Sequence, residues 1–546
     1  MDGQTIPLRD YLDIRPENAE RLKKLIQDGR IVIGPWFVMP DEFLSSGETL
    51  VKNLQTGFEI CAQYGVEPMK NGYVTDIFGH NSQFPQILNL FGIEAATLYR
   101  GIADYPKDTF KWQAPDGSQV YAFKLDRERS YSNFYFAVRY PYEILPYSDE
   151  DAVERMKQLL AHMKELAVTN MSLMMDGVDH IDADEKVLEL FKLFEKEIPE
   201  VEFIHTKLDD YLTELKTRSL QLEVLEGALY NLGYDGVNNQ VLKNVLSSTI
   251  HLKQANDRCE TLLTRFAQPL DAFTGMLKPE LQPLEKDEYY AHPRKGYFNK
   301  AWDYLLQNEP HDSICGCSTS DVHRDNAYRF RQCRQIAEKM TEDAMREVAV
   351  NLSAPKEDYT GQILVYNPSQ KACGSVFLTH IEIPAGHQNN LRFFDAEGNP
   401  VRVQLIRMVM RQQANHSLRH LITFQMMERW EAAIEMDVPP MGYAVMGYRS
   451  LNSCGPINGN YKYVELHHPQ RLVGSMRVTK DTYDNGVLEL KVQQNGALQV
   501  TEKATGRVYK DLMTFEDCGD VGDGWNYRKP QNDSRIFDCC TACRFS

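Results

Sequence analysis

Apolar residues recur at helical spacing in PENAERLKKLIQDG (Leu22, Leu25, Ile26), a run that stops at Gly29 and leads into the strand-like IVIG of 31–34. The same alternation continues. A helix is predicted over about 48–63, then a short apolar strand ending on Asp76, a helix near 84–90 stopped by Gly92, and the strand ATLYR ending on Arg100. PDGS at 115–118 turns a hairpin, and a helix across 150–166, the strand MSLMMDG of 171–177, a helix near 184–197 and the strand VEFIH of 201–205 follow. Alternating strand and helix imply a parallel sheet, open or closed into a barrel.

The pattern changes at about Leu225. Stretches 240–276, 284–308 and 319–350 each read as a long amphipathic helix, which predicts a helical bundle. After Pro355 the runs ILVYNPS, VFLTHIEIP, VQLIRMVM, LITFQMM, YKYVELHH and VLELKVQQNGALQV alternate between polar and apolar positions, divided by Gly, Pro and Asn, as in an all-β region. The expected organisation is an α/β domain over 1–224, a helical domain over 225–354 and a β-sandwich region over 355–546, without internal repeats.

Composition narrows the function. The 546 residues exceed a single core, and a net charge of −17 argues against nucleic acid or an anionic membrane as partner. No stretch reaches the roughly 20 apolar residues that span a bilayer, and Met1 is followed by Asp2, Gly3 and Gln4 rather than a basic and then apolar leader, so a cytoplasmic protein is expected. Eleven scattered cysteines fit reduced thiols. Cys315 and Cys317, as CGC, lack the C-x-x-C spacing of a zinc ribbon, which speaks against a structural metal there.

Four stretches carry candidate chemistry. NGYVTDIFGHN, at 71–81, delivers Asp76 to a strand's C-terminal end beside Gly79 and His80. That is where α/β barrels present reacting groups, although an Asp before an amphipathic run also serves as a helix N-cap. GPWFVMPDEFLSSGETLVKN, at 34–53, sets Trp36, Asp41, Glu42 and Glu48 after a strand. An exposed indole beside carboxylates suits a sugar, whereas a core Trp and a first-turn Glu would need no function. MSLMMDGVDH ends on Asp176, Asp179 and His180, either a pocket proton donor or an ordinary Asp-Gly turn. EPHDSICGCSTSDVH, at 309–323, places His311 and Asp312 at a break between helices, where an imidazole can bind a metal or merely meet a helix dipole.

Taken in order, these stretches, with GYVTDIFGHNSQFPQIL, LYRG, the G-x-D of Gly177 to Asp179, and VLSSTIHLKQAN, resemble the α-mannosidases of glycoside hydrolase family 38, in particular the bacterial cytoplasmic branch that includes mannosylglycerate hydrolase. The resemblance runs from about residue 1 to about 538. It implies a retaining, zinc-dependent hydrolase of terminal α-mannosides, with mannosylglycerate or a phosphorylated form as candidate substrate and a homo-oligomer as an open option. Asp76 matches the family's nucleophile and zinc ligand, His311 a second zinc ligand, Asp312 a residue holding sugar hydroxyls, and Asp179 the acid/base. Arg100 and Trp36 match positions lining the sugar pocket. One zinc ion per chain is implied, acting on the sugar's adjacent hydroxyls as a template.

The chain departs from the family at both ends. The H-x-H-x-D-x-x-W motif expected on a first strand is absent, so an incomplete seven-stranded β/α barrel-like domain with half the zinc ligands is expected, and DCCTACRFS resembles no strand. With Asp76 and His311 alone, zinc should be held poorly. Two other readings stay open: an inactive truncated mannosidase fragment, and a zinc carbohydrate deacetylase, which would need no carboxylate nucleophile.

Overall fold

The structure is a computed structural model that describes residues 2–102, 105–140, 148–179, 181, 183–231, 241–277, 294–353, 355–385, 391–415, 421–450, 465–466 and 476–537. His180 and the cysteine-rich tail lie outside the described residues, as does most of YKYVELHH. The chain divides into two compact units. One comprises Met1–Thr264, Pro293–Glu338 and Gly522–Arg528, and the other Arg265–His292, Lys339–Val521 and Lys529–Ser546. The helical stretch is thus shared between them.

In the first unit the helices α1 (Ile6–Ile14), α2 (Ala19–Gln27) and α3 (Gly47–Tyr64) precede the sheet. Ser46 caps α3 by accepting from the Thr49 amide at 3.3 Å, and Gly65 ends it at φ +76°. Glu48 sits in its first turn. Strand β1 (Asn71–Val74) pairs in parallel with β2 (Ala95–Leu98), and β2 with β4 (Gln119–Lys124). The PDGS turn brings β3 (Thr109–Gln113) back antiparallel to β4, and β5 (Val224–Glu226) runs parallel to β3. The described strands therefore form a mixed sheet in the order β1-β2-β4-β3-β5. Both β1 and β2 are buried at every position, which explains their continuous apolar reading. Helix α4 (Phe84–Leu90) packs its Phe84, Ile87 and Leu88 into the same core as Leu98, Phe110 and Trp112.

Three expected strands are not strands. Residues 31–34, 171–177 and 201–205 join no ladder, and the reason is clearest in the second. There the Asn133 side chain accepts from the Met175 amide (2.6 Å) and donates to the Leu173 carbonyl (3.0 Å). The Phe134 amide bonds the Met175 carbonyl, and the Gly177 amide bonds the Tyr131 carbonyl. The backbone groups that would have made a ladder are thus already satisfied. Helices α5 (Asp149–Leu166), α6 (Lys186–Glu197) and α7 (Leu208–Lys216) complete the α/β part, and α8 (Ile250–Thr261) follows it. Helix α9 (Gln268–Leu277) belongs to the second unit, and α10 (Lys295–Leu306) and the short α11 (His311–Ile314) to the first. The long α12 (Ser320–Ala349) ends the helical stretch.

In the second unit, β6 (Gly361–Asn367), β7 (Cys373–Pro384), β8 (Leu391–Phe394), β9 (Pro400–Asn415), β10 (Thr423–Val438) and β11 (Gly442–Ser450) form a sheet in the order β6-β11-β8-β9-β10-β7. The short β12 (Glu465–Leu466) pairs with β9. Alternate inward residues, among them Ile381, Ile383, Trp430, Ile434 and Met446, make its core. A second sheet joins β13 (Thr482–Asp484), β14 (Leu488–Val492), β15 (Leu498–Glu502) and β16 (Val508–Leu512) in sequence order. The β region is as its alternation predicts. No helix among the described residues is long and apolar enough to cross a membrane.

Candidate active site

Strand β1 stops at Val74, and Asp76 stands two residues beyond it, at the strand's C-terminal end. The helix-cap alternative does not hold, because α4 begins only at Phe84 and it is the Asn81 side chain that accepts from the Gln83 amide (3.0 Å). The loop is fixed from below. Glu42, fully buried, meets His80 Nδ1 at 2.7 Å and accepts from the Asn81 amide at 3.0 Å. Burial pushes its carboxyl above the usual range, with His80 opposing. The His80 and Leu229 backbones exchange two bonds of 2.9 Å. Gly79, at φ +121°, lets the Tyr230 ring approach to where a Cβ would stand 2.5 Å from it.

Arg100, two residues past β2, turns its guanidinium onto one oxygen of Asp76, with Nε 3.0 Å from Oδ1 and Nη2 bonded to the same atom. The other oxygen faces His311, whose Nε2 lies 3.7 Å from Asp76 Oδ2 and 3.5 Å from Asp312 Oδ2. His311 opens α11, and both its amide (3.1 Å) and its Nδ1 (3.4 Å) are directed at the Met39 carbonyl. With Nδ1–H donating there, Nε2 is the nitrogen left to the carboxylates, and it is buried without a hydrogen-bond partner. Burial alone would raise the Asp76 carboxyl, but His311 and Arg100 outweigh it and hold the group at about 2. Burial would likewise lower the His311 imidazole, and the carboxylates of Asp76 and Asp312 instead raise it to about 9. An orphaned imidazole nitrogen facing a carboxylate oxygen is a donor pair that suits zinc, and Nδ1 already has its outer partner in Met39.

Asp179 sits on an exposed loop, where Tyr131 Oη donates to its Oδ2 at 3.3 Å. Burial, then Asp76 and Asp179, push the Tyr131 phenol upward, so this ring lies in the field of both carboxylates. Asp2 is also in the field of His311 and Asp179. Asp176 turns elsewhere, to Arg139 Nε at 3.0 Å, while Arg139 Nη1 holds Asp184 at 2.8 Å. Trp36 corrects the expectation of a sugar-facing ring. It is 0% exposed and stacked on Phe84 with centroids 5.7 Å apart, because Gly57 of α3 has no Cβ to hold the Pro35 carbonyl away. Asp41 is also buried and accepts from the Phe43 and Leu44 amides at 2.8 Å. Sequence reasoning missed Tyr131, which lies in an unpatterned loop, and the support given by Glu42 to His80.

Asp76, Arg100, His311 and Asp312 thus meet in one place, brought from two strand ends and a helix start. Residues 6–234 match the glycosyl hydrolases family 38 N-terminal domain, and residues 240–348 the alpha mannosidase middle domain. The chain belongs to glycoside hydrolase family 38. A putative mannosylglycerate hydrolase of Halalkalibacterium halodurans is 30% identical over 99% of this chain and 60% of that protein. An alpha-mannosidase of Enterococcus faecalis, known from its crystal structure, superposes with a TM-score of 0.82 at 26% identity, over 98% of this chain and 59% of that one. An alpha-mannosidase of Saccharomyces cerevisiae is 30% identical over 20% of this chain and 11% of its own. The chain spans about three fifths of the length of the first two.

Proposed function

We propose that this chain carries the centre of a retaining α-mannoside hydrolase, and the observation that carries the reading is the convergence of His311 Nε2 and Arg100 on opposite oxygens of Asp76. Arg100 orients the carboxyl and keeps it ionised, so that Asp76 meets an anomeric carbon as an anion. Asp179 is the acid/base: it protonates the departing oxygen, then takes a proton from the water that releases the sugar. Such pairs work with carboxyl groups about 5–5.5 Å apart. Tyr131 holds the Asp179 carboxyl by its Oδ2. Asp312, its side chain 60% exposed, is open to sugar hydroxyls.

Asp76 and His311 are the residues that would hold zinc, and the ion would supply a template for neighbouring sugar hydroxyls. The name borne by the Halalkalibacterium halodurans relative supports a mannoside with a small anionic aglycone, mannosylglycerate being the first to try. A cytoplasmic location and a division into α/β, helical and β-sandwich domains belong to the same reading. A fluoro-sugar that traps the glycosyl intermediate tests it: a covalent adduct on Asp76, found by peptide mass spectrometry, is expected. Release of acetate from an acetylated sugar without any adduct would favour a deacetylase, and neither adduct nor any hydrolysis an inactive chain.

A further inference from the structure

We propose that Cys315 and Cys317 form a thiol–disulfide exchange site whose closure withdraws Cys317 from the sugar-holding Asp312. The two sulfurs are 3.1 Å apart, both free thiols, on either side of Gly316. With Asp312 they make a cluster whose donor atoms all lie within 4.8 Å. Two thiolates on one tetrahedral zinc, with Zn–S of about 2.3 Å, would stand about 3.7 Å apart. This pair is already closer than that, on the way to the bonding distance of about 2.05 Å.

The surroundings decide which sulfur moves. Cys315 is 0% exposed, and Lys253 Nζ donates to its carbonyl at 2.7 Å. The Gly316 carbonyl accepts from Thr249 Oγ1 at 3.0 Å and Ser248 Oγ at 3.4 Å. Gly316 itself is at φ +78°, where a Cβ would come 2.6 Å from Thr249, so the turn admits only glycine without a shift. This gives VLSSTIHLKQAN a structural role, since its Ser248, Thr249 and Lys253 clamp the first two residues of the CGC turn. Cys317 is half-buried and reaches Asp312, with Sγ 3.7 Å from Oδ1 and 3.8 Å from the carbonyl oxygen. It is the sulfur an outside reagent meets first, and the one that shifts when the bond forms.

The co-reactant is a low-molecular-weight disulfide. The Cys317 thiolate attacks one of its sulfurs, its S–S bond breaks, and one thiol leaves. The Cys315 thiolate then attacks Cys317 Sγ, the mixed bond breaks, and a second thiol leaves. The cysteines lose two electrons and two protons, and the small disulfide gains both. The Cys317 hydrogen bonds to Asp312 are lost with the proton.

The coupling to Asp312 rests on the hydrolase reading, whereas the exchange does not, and the test separates them. The full chain is treated with oxidised glutathione, and its thiols are mapped by alkylation and mass spectrometry. Expected are a reversible bond between Cys315 and Cys317, arrest at a glutathione adduct on Cys317 in Cys315→Ser, and mannose affinity about tenfold lower in the oxidised chain, restored by reduction. If the exposed Cys518 takes up glutathione while Cys315 and Cys317 remain thiols, the exchange site is overturned. A disulfide with unchanged mannose affinity overturns the coupling. A disulfide in a chain that binds no mannose in either state upholds the exchange site and sinks the hydrolase reading instead.

Discussion

The two carboxylates assigned to the reaction are held in opposite ways. Asp76 is gripped by Arg100 on one oxygen and faced by His311 on the other, on a loop fastened by Glu42, His80 and Leu229. Asp179 is exposed and has one described side-chain partner, Tyr131. Under the proposed roles, the group that attacks as an anion sits beside Arg100 and His311, and the group that passes a proton sits on an exposed loop. Preorganisation is concentrated on the carboxylate proposed to attack.

The sharpest way to break this contrast is Asp76→Asn, expected to lower kcat on an aryl α-mannoside by more than about a thousandfold, with no trapped adduct. Asp179→Asn should cost about a hundredfold to a thousandfold, and less with an activated phenolate leaving group that needs little protonation. If the two variants lost equally with such a substrate, the division of roles would be wrong. Tyr131→Phe should lower kcat by no more than about tenfold, the worth of one hydrogen bond, and leave the unfolding midpoint in place.

Two smaller effects concern the scaffold. Glu309 is fully buried, and its carboxyl is raised well above the usual range by burial and then by Glu260, while Ser45 Oγ, 2.5 Å away, opposes the shift. A raised folded-state pKa contributes stability that is complete below the unfolded-state value and lost as pH rises through the folded one. Glu309→Gln should therefore flatten the pH dependence, making the chain more stable relative to the parent at pH 8 than at pH 5 by on the order of 1 kcal/mol in urea unfolding. Trp36→Phe should cost about 1–3 kcal/mol and leave KM unchanged, since the ring belongs to the core.

The site was legible where chemistry lies at the ends of regular elements. Asp76, Arg100 and His311 each follow a strand or open a helix, and ordered motifs carried them together. Trp36 shows the limit, because an indole beside carboxylates reads alike whether it faces a sugar or Phe84. What buried it was the missing Cβ of Gly57, on a different element. The apolar run of 171–177 was misread for a similar reason. Its backbone partners are supplied by Asn133, 40 positions from Leu173, and no periodicity in the run itself announces that. The parallel core strands and the alternating β region were legible because burial on one face or two writes itself directly into hydrophobic spacing.

Asn133 has a further consequence. Its carboxamide, with the Phe134 amide and the Tyr131 carbonyl, stands in for the edge of a neighbouring strand, so the aim of the segment leading to Asp179 depends on one short turn instead of a zipper of repeated bonds. Exchanging Asn133 for leucine would remove both of its bonds to that segment and, under the proposed roles, disturb the placement of Asp179 while leaving Asp76 and Arg100 in place.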